Sequence, residues 1–158
     1  MYGLQAVIAA EHLLTRAAHA AEGTQIVPLR QSLALLPMTD AFFDAVTSKG
    51  LEPRQGGFWK MPAGFERTLT AWSTQGPVAY VEADYVGGTG EQRAQVWDGG
   101  GVVLGPLHSG PGERFPAAGS PISQALRRLG AGKGNHCDEF DAIALGRRRE
   151  TEAWLDLG

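Results

Sequence analysis

Between residues 78 and 105, strand-like segments alternate with clusters of glycine, and this pattern constrains the fold more than any other. Val78 to Val86 reads as a strand. It is rich in β-branched and aromatic residues, and successive side chains fall on opposite faces. Ala79, Val81, Ala83 and Tyr85 share one apolar face, which predicts contact with a core. Val78, Tyr80, Glu82, Asp84 and Val86 share the other. Gly87-Gly88-Thr89-Gly90 turns the chain, Glu91 to Asp98 runs back, Gly99-Gly100-Gly101 turns it again, and Val102 to Gly105 forms a third strand. Glycine takes positive φ without a Cβ clash, so both clusters read as hairpin turns. A dinucleotide fingerprint instead needs G-x-G-x-x-G leading into a helix. Here the spacing is GGTG and the next segment reads as strand. The segment Gly130-Ala131-Gly132-Lys133-Gly134 also lacks the P-loop's upstream Gly and its Ser or Thr after the lysine.

The remaining periodicity predicts an α+β fold. Tyr2 to Ala10 reads as a strand, and Glu11 to Ala21 as an Ala-rich helix ending at Gly23. Ile26 to Leu29 and Ser32 to Leu36 read as further strands, with Pro37 as a stop. Thr39 is placed to cap a helix in which Asp40 meets the positive end of the dipole, with Gly50 as its stop. Gly57 to Met61 reads as a short strand. Ala63 to Thr74 reads as a helix, with Phe65, Leu69 and Trp72 on one face. Ser120-Pro121 opens the best-signalled helix, in which Ile122, Ala125, Leu126 and Leu129 recur at helical spacing. A last short helix is predicted over Arg148 to Leu157, with Trp154 and Leu155 inward.

A chain of 158 residues suits one domain, spanning 1–158. A hydrophobic fraction of 43% and a charged fraction of 20% are those of a folded protein. The net charge of −3 argues against non-specific nucleic-acid binding, which needs a positive footprint. The basic run Arg147-Arg148-Arg149 is followed by Glu150 and Glu152, so it reads as an ion-paired helix surface. Cys137 is the single cysteine, which rules out an intramolecular disulfide. Leu4 to Ala10 is too short to span a bilayer, and no secretory pattern precedes it. These features predict a cytoplasmic protein without a membrane segment. Arginine outnumbers lysine eleven to three, and with abundant Gly and Ala this suggests a GC-rich bacterial source.

Several groups carry candidate chemistry. Glu82 and Asp84 share a strand face, and the neighbouring strand offers Arg93 and Gln95. Paired carboxylates suit a hard cation or acid–base work. The favoured expectation is the solvent face of an antiparallel sheet, with Arg93 as cross-strand partner. His136-Cys137-Asp138-Glu139-Phe140-Asp141 is the densest reactive run. A nucleophilic cysteine needs a base and an orienting group, and a distant His108 or His12 would serve Cys137 better than the adjacent His136. The acids of this run are placed to cap a following turn of helix. No CxxC or HxxxH pair occurs, so neither a metal site nor a cofactor is expected. The Gly/Pro-rich stretch Gly105 to Gly119 and the stretch Ala131 to Asp138 flank the helix at 120–130. As long loops they draw His108, Ser109, Arg114, His136 and Cys137 toward one neighbourhood. Trp59 and Trp97 lie beside glycine turns and are candidate partner contacts.

The string Glu82-Ala83-Asp84-Tyr85-Val86-Gly87-Gly88-Thr89-Gly90-Glu91-Gln92, with Val96-Trp97 and Gly105-Pro106, resembles a family of small bacterial proteins of unknown function. So does the tail Asp138-Glu139-Phe140-Asp141 with Gly146-Arg147 and Thr151-Glu152-Ala153-Trp154. The resemblance covers the second half of the chain and implies no activity and no catalytic residues. In size and charge the chain is also similar to immunity proteins that neutralise secreted bacterial toxins. The expectation is a mainly antiparallel sheet with a central β-meander at about 78–105, packed by three to five helices. The expected function is that of a cytoplasmic module that binds a protein partner, with Glu82, Asp84, Arg93, Gln95, Trp97 and Arg114 as its surface. The alternative is a small hydrolase or metal-assisted enzyme using His108, His136, Cys137 or acids of the 105–141 loops. The sequence leaves the oligomeric state open.

Overall fold

A computed structural model describes residues 1–18, 24–47 and 57–156. The strands are β1 (Tyr2–Ala10), β2 (Val27–Pro28), β3 (Leu33–Pro37), β4 (Val78–Val86), β5 (Thr89–Asp98) and β6 (Gly101–Ser109). They form one antiparallel sheet in the order β2-β3-β1-β4-β5-β6. The helices are α1 (Glu11–Ala18), α2 (Asp40–Val46), α3 (Phe65–Trp72), α4 (Pro121–Arg128) and α5 (Glu139–Ala142). The fold is α+β, as predicted, and β4, β5 and β6 form the predicted meander. Among the described residues, no helix is long and apolar enough to cross a membrane.

The sheet is covered on both sides. On the first face, Leu4, Ile8, Val81, Ala83 and Val96 pack against Ile122, Leu126, Ile143 and Trp154. On the second, Val7, Val78, Tyr80 and Trp97 pack against Leu13, Leu14, Phe42, Phe65 and Leu69. Edge-to-face pairs lock the second core: Phe42 with Phe65, Phe58 with Tyr80, and Phe65 with Trp72, at centroid distances of 5.9, 5.0 and 5.8 Å. Each such pair contributes about 0.5–1.5 kcal/mol beyond the area it buries. The expectation of one core face on β4 is therefore corrected. The run Val78–Val81 is apolar on both faces, as a strand sandwiched between layers must be.

Local signals place the helix starts. Thr39 Oγ1 accepts from the Phe42 amide at 3.1 Å, and Ser120 Oγ accepts from the Ser123 amide at 3.1 Å. Pro121 occupies the first turn of α4, where a missing N–H costs nothing. The predicted stops of the first two helices, Gly23 and Gly50, lie outside the described residues. Three segments differ from expectation. Residues 57–61 contain no strand, because Glu82 rather than a sheet neighbour takes up the Trp59 and Lys60 amides. β6 runs on to Ser109, with register shifts opposite Ala94, Val96 and Trp97, so the following loop is shorter than predicted. The tail forms 3-10 turns at Leu145–Arg147 and Glu152–Asp156 instead of one helix. The arginine run is accordingly not laced to its acids. Arg147 donates to the Pro28 carbonyl at 3.0 Å and lies over Trp154, while Glu152 accepts from the Asp40 amide.

Candidate functional site

The polar group on β4 and β5 is built into the second face. Glu82 pairs in register with Arg93, Tyr80 with Gln95 and Val78 with Trp97, so these side chains share one side of the sheet. Glu82 is fully buried, which corrects the solvent-face expectation for this residue. Its Oε1 accepts from the Trp59 amide and its Oε2 from the Lys60 amide, both at 2.6 Å. The Tyr80 hydroxyl donates to the Lys60 carbonyl and lies 3.3 Å from Glu82 Oε2. Burial pushes the Glu82 carboxyl above its usual range, opposed by those two amides, the Tyr80 hydroxyl and the Arg93 charge. Glu82 is thus spent on holding residues 58–61 over the sheet. Arg93 sits 5.8 Å from the Trp59 ring centroid and 3.9 Å from Glu91. Gln95 and Trp97 are buried, Trp97 within the core, so neither offers the partner surface expected of it. Asp84 is exposed and separate from the Glu82 carboxylate network.

The reactive side chains of the 105–141 region do not converge. His108 pairs with Arg93 across the sheet, and its Nε2 lies 3.3 Å from Glu91 on the second face. His136 precedes α5, which covers the first face, and its Nδ1 lies 3.1 Å from Asp141. Cys137 is exposed beside His136, and Arg114 is exposed in the loop after β6. His108 and His136 therefore each have their own carboxylate, on opposite sides of the sheet. Among the described residues, no group of three or more His, Cys, Asp or Glu is placed to hold a metal ion.

The structure does form a cavity on the first face, at the open end of β1, β4 and β5. It encloses about 230 Å³. Tyr2, Tyr85, Phe115 and Phe140 supply its rings, and Gln92, Ser120 and Asp138 its polar groups. Strand pairing sets Tyr2 opposite Tyr85. Tyr2 meets Phe140 edge to face at 5.5 Å and donates its hydroxyl to the Leu145 carbonyl at 3.0 Å. Burial raises the pKa of both Tyr2 and Tyr85, and a hydrogen bond from the Gln92 side chain opposes the rise at Tyr85. Gln92 Oε1 accepts from the Ile122 amide at 3.0 Å, tying the sheet to the start of α4. Ser120 caps α4, and Asp138 Oδ1 accepts from the Asp141 amide at 2.8 Å, capping α5. Nearby, Glu139 forms an ion pair with Arg127 at 3.2 Å. Burial opposes ionisation of Glu139, but the Arg127 hydrogen bond, its own backbone amide, and the Arg127 and Lys133 charges together outweigh it and leave the pKa lowered.

Sequence reasoning did not find this cavity: it drew His108, Ser109, Arg114, His136 and Cys137 toward one neighbourhood, and none of the five lines the cavity. Its rings come from four separate segments, brought together by strand register and two helix caps. Phe115, which no sequence pattern singled out, is 48% exposed in the structure. No family model matches the chain, and no curated protein or solved structure matches it.

Proposed function

We propose that this protein is a binding module that works by contacting another protein, and that the first-face cavity receives an anchoring side chain of that partner. The observation that carries this reading is the cavity's lining, four rings and a few polar groups around about 230 Å³. A pocket of aromatic rings with a few fixed polar atoms matches the pockets that interface hot spots fill. Phe115 at its mouth leaves apolar surface in water, which a partner would cover. The cavity's polar groups already hold backbone amides, so the walls are set before anything binds. Action in the cytoplasm as an immunity-type protein, blocking a toxin by contact, is one form of this function. A toxin gene beside this one would favour that form.

Affinity purification from the native host tests the reading. The wild-type chain is expected to recover a stoichiometric partner under gentle lysis, and Phe115→Ala to lose it while remaining folded. Recovery of the wild-type chain alone, or equal capture by the variant, contradicts the proposal.

A further inference from the structure

The cavity is one lobe of a longer depression. A second lobe of about 250 Å³ shares Tyr85 and Phe115 with it and runs over the glycine turn at Gly88 and Gly90. The first lobe carries Asp138 and the second Glu113. Among the described residues, no Lys, Arg or His lines either lobe. The neighbouring basic side chains Arg127 and His136 are engaged by Glu139 and Asp141, and Arg114, exposed between Glu113 and Phe115, lines neither lobe. Asp138 uses Oδ1 for the α5 cap, and its second oxygen makes no hydrogen bond among the described residues. Four rings and a carboxylate without a basic counterpart make a site that attracts a cation through ring faces and charge together. A planar guanidinium stacks on rings and forks onto a carboxylate, which an ammonium does less well.

We infer that the anchoring side chain is an arginine of the partner protein, stacked among Tyr85, Phe115 and Phe140 and paired with Asp138. Glu113 lies where it would meet a second basic group on the same partner segment. This inference rests on the cavity being the contact site, and adds the chemistry of what enters it.

Three acetylated, amidated tripeptides of the form Gly-X-Gly separate the possibilities, with X as arginine, citrulline or phenylalanine. Binding is read from the NMR shifts of the Tyr85 and Phe115 ring protons of the full chain. The arginine peptide is expected to shift both, and citrulline, its neutral isostere, to bind about tenfold more weakly. Asp138→Asn keeps an oxygen for the α5 cap and is expected to bring the arginine peptide down to the citrulline level. Equal binding of arginine and citrulline, or a response to phenylalanine alone, overturns the inference and leaves the anchor pocket standing. No response to any of the three overturns both.

Discussion

At the scale of single residues, Glu82 shows how far burial can change a side chain's role. Both of its oxygens face backbone N–H groups at 2.6 Å inside the second core. Glu82→Gln puts an amide NH₂ against one of those donors. It is expected to lower the unfolding free energy by about 1–3 kcal/mol, measured by urea denaturation, because one buried N–H loses its acceptor. Unchanged stability would mean that the carboxylate does not hold residues 58–61. The alternation Glu82–Asp84 made the pair legible as two acids on one face, and the register with Arg93 was readable from the turn. What hid the burial of Glu82 was that its partners are backbone amides some 23 and 22 residues away, which no side-chain pattern reveals. Glu139 supplies a test with the opposite pH sense. Its pKa is lower in the folded chain than the ordinary 4.5. Its ionised form therefore stabilises the fold above that value, and the contribution is lost as pH falls through the folded pKa. Wild type is expected to exceed Glu139→Gln in stability at neutral pH, with the gap narrowing in acid. A gap independent of pH would count against the Arg127 pair as its source.

At the scale of elements, the β4–β5 hairpin depends on two glycines for different reasons. Gly88 has a φ of +81° with open space where a Cβ would stand. Gly90 has no such φ, yet a Cβ there would lie 1.9 Å from the Asp84 carbonyl oxygen and 2.7 Å from Tyr85 Cα. Gly88→Ala is expected to cost about 1–2 kcal/mol from the left-handed conformation. Gly90→Ala must move backbone that also carries Tyr85, so it should be the more damaging, by thermal unfolding. The reverse order would contradict the described turn. Gly90 is also where turn chemistry, readable in GGTG, runs into packing that is not. The helix starts at Thr39, Ser120 and Asp138 were legible because caps are local. The tail was not, since Gly3 and Gln5 of β1 tie it down through Arg149 and Thr151, far away in sequence.

At the scale of the whole molecule, two surfaces compete for a partner. One is the outer edge of β6, where Val102 and Val103 are 51% and 39% exposed. The other is the aromatic cavity. The edge is interrupted by register shifts, and Pro106 has no amide to donate, both of which discourage strand addition. The isolated protein is therefore expected to scatter light as a monomer, and a concentration-dependent dimer broken by a charge at Val103 would restore the edge as the working surface. The two-sided burial of the sheet also separates the reactive side chains named from the sequence. It places His108 on one side and His136 with Cys137 on the other. The cavity's lining combines four rings with Gln92, Ser120 and Asp138, and His108 is not among the residues that line it.

Hydroxyl-radical footprinting of the chain, alone and with its captured partner, tests the contact site most directly. Protection of Phe115 and Tyr85, with Val102 and Val103 unchanged, is the predicted result. Protection of Val102 and Val103 with Phe115 and Tyr85 still reactive would contradict it.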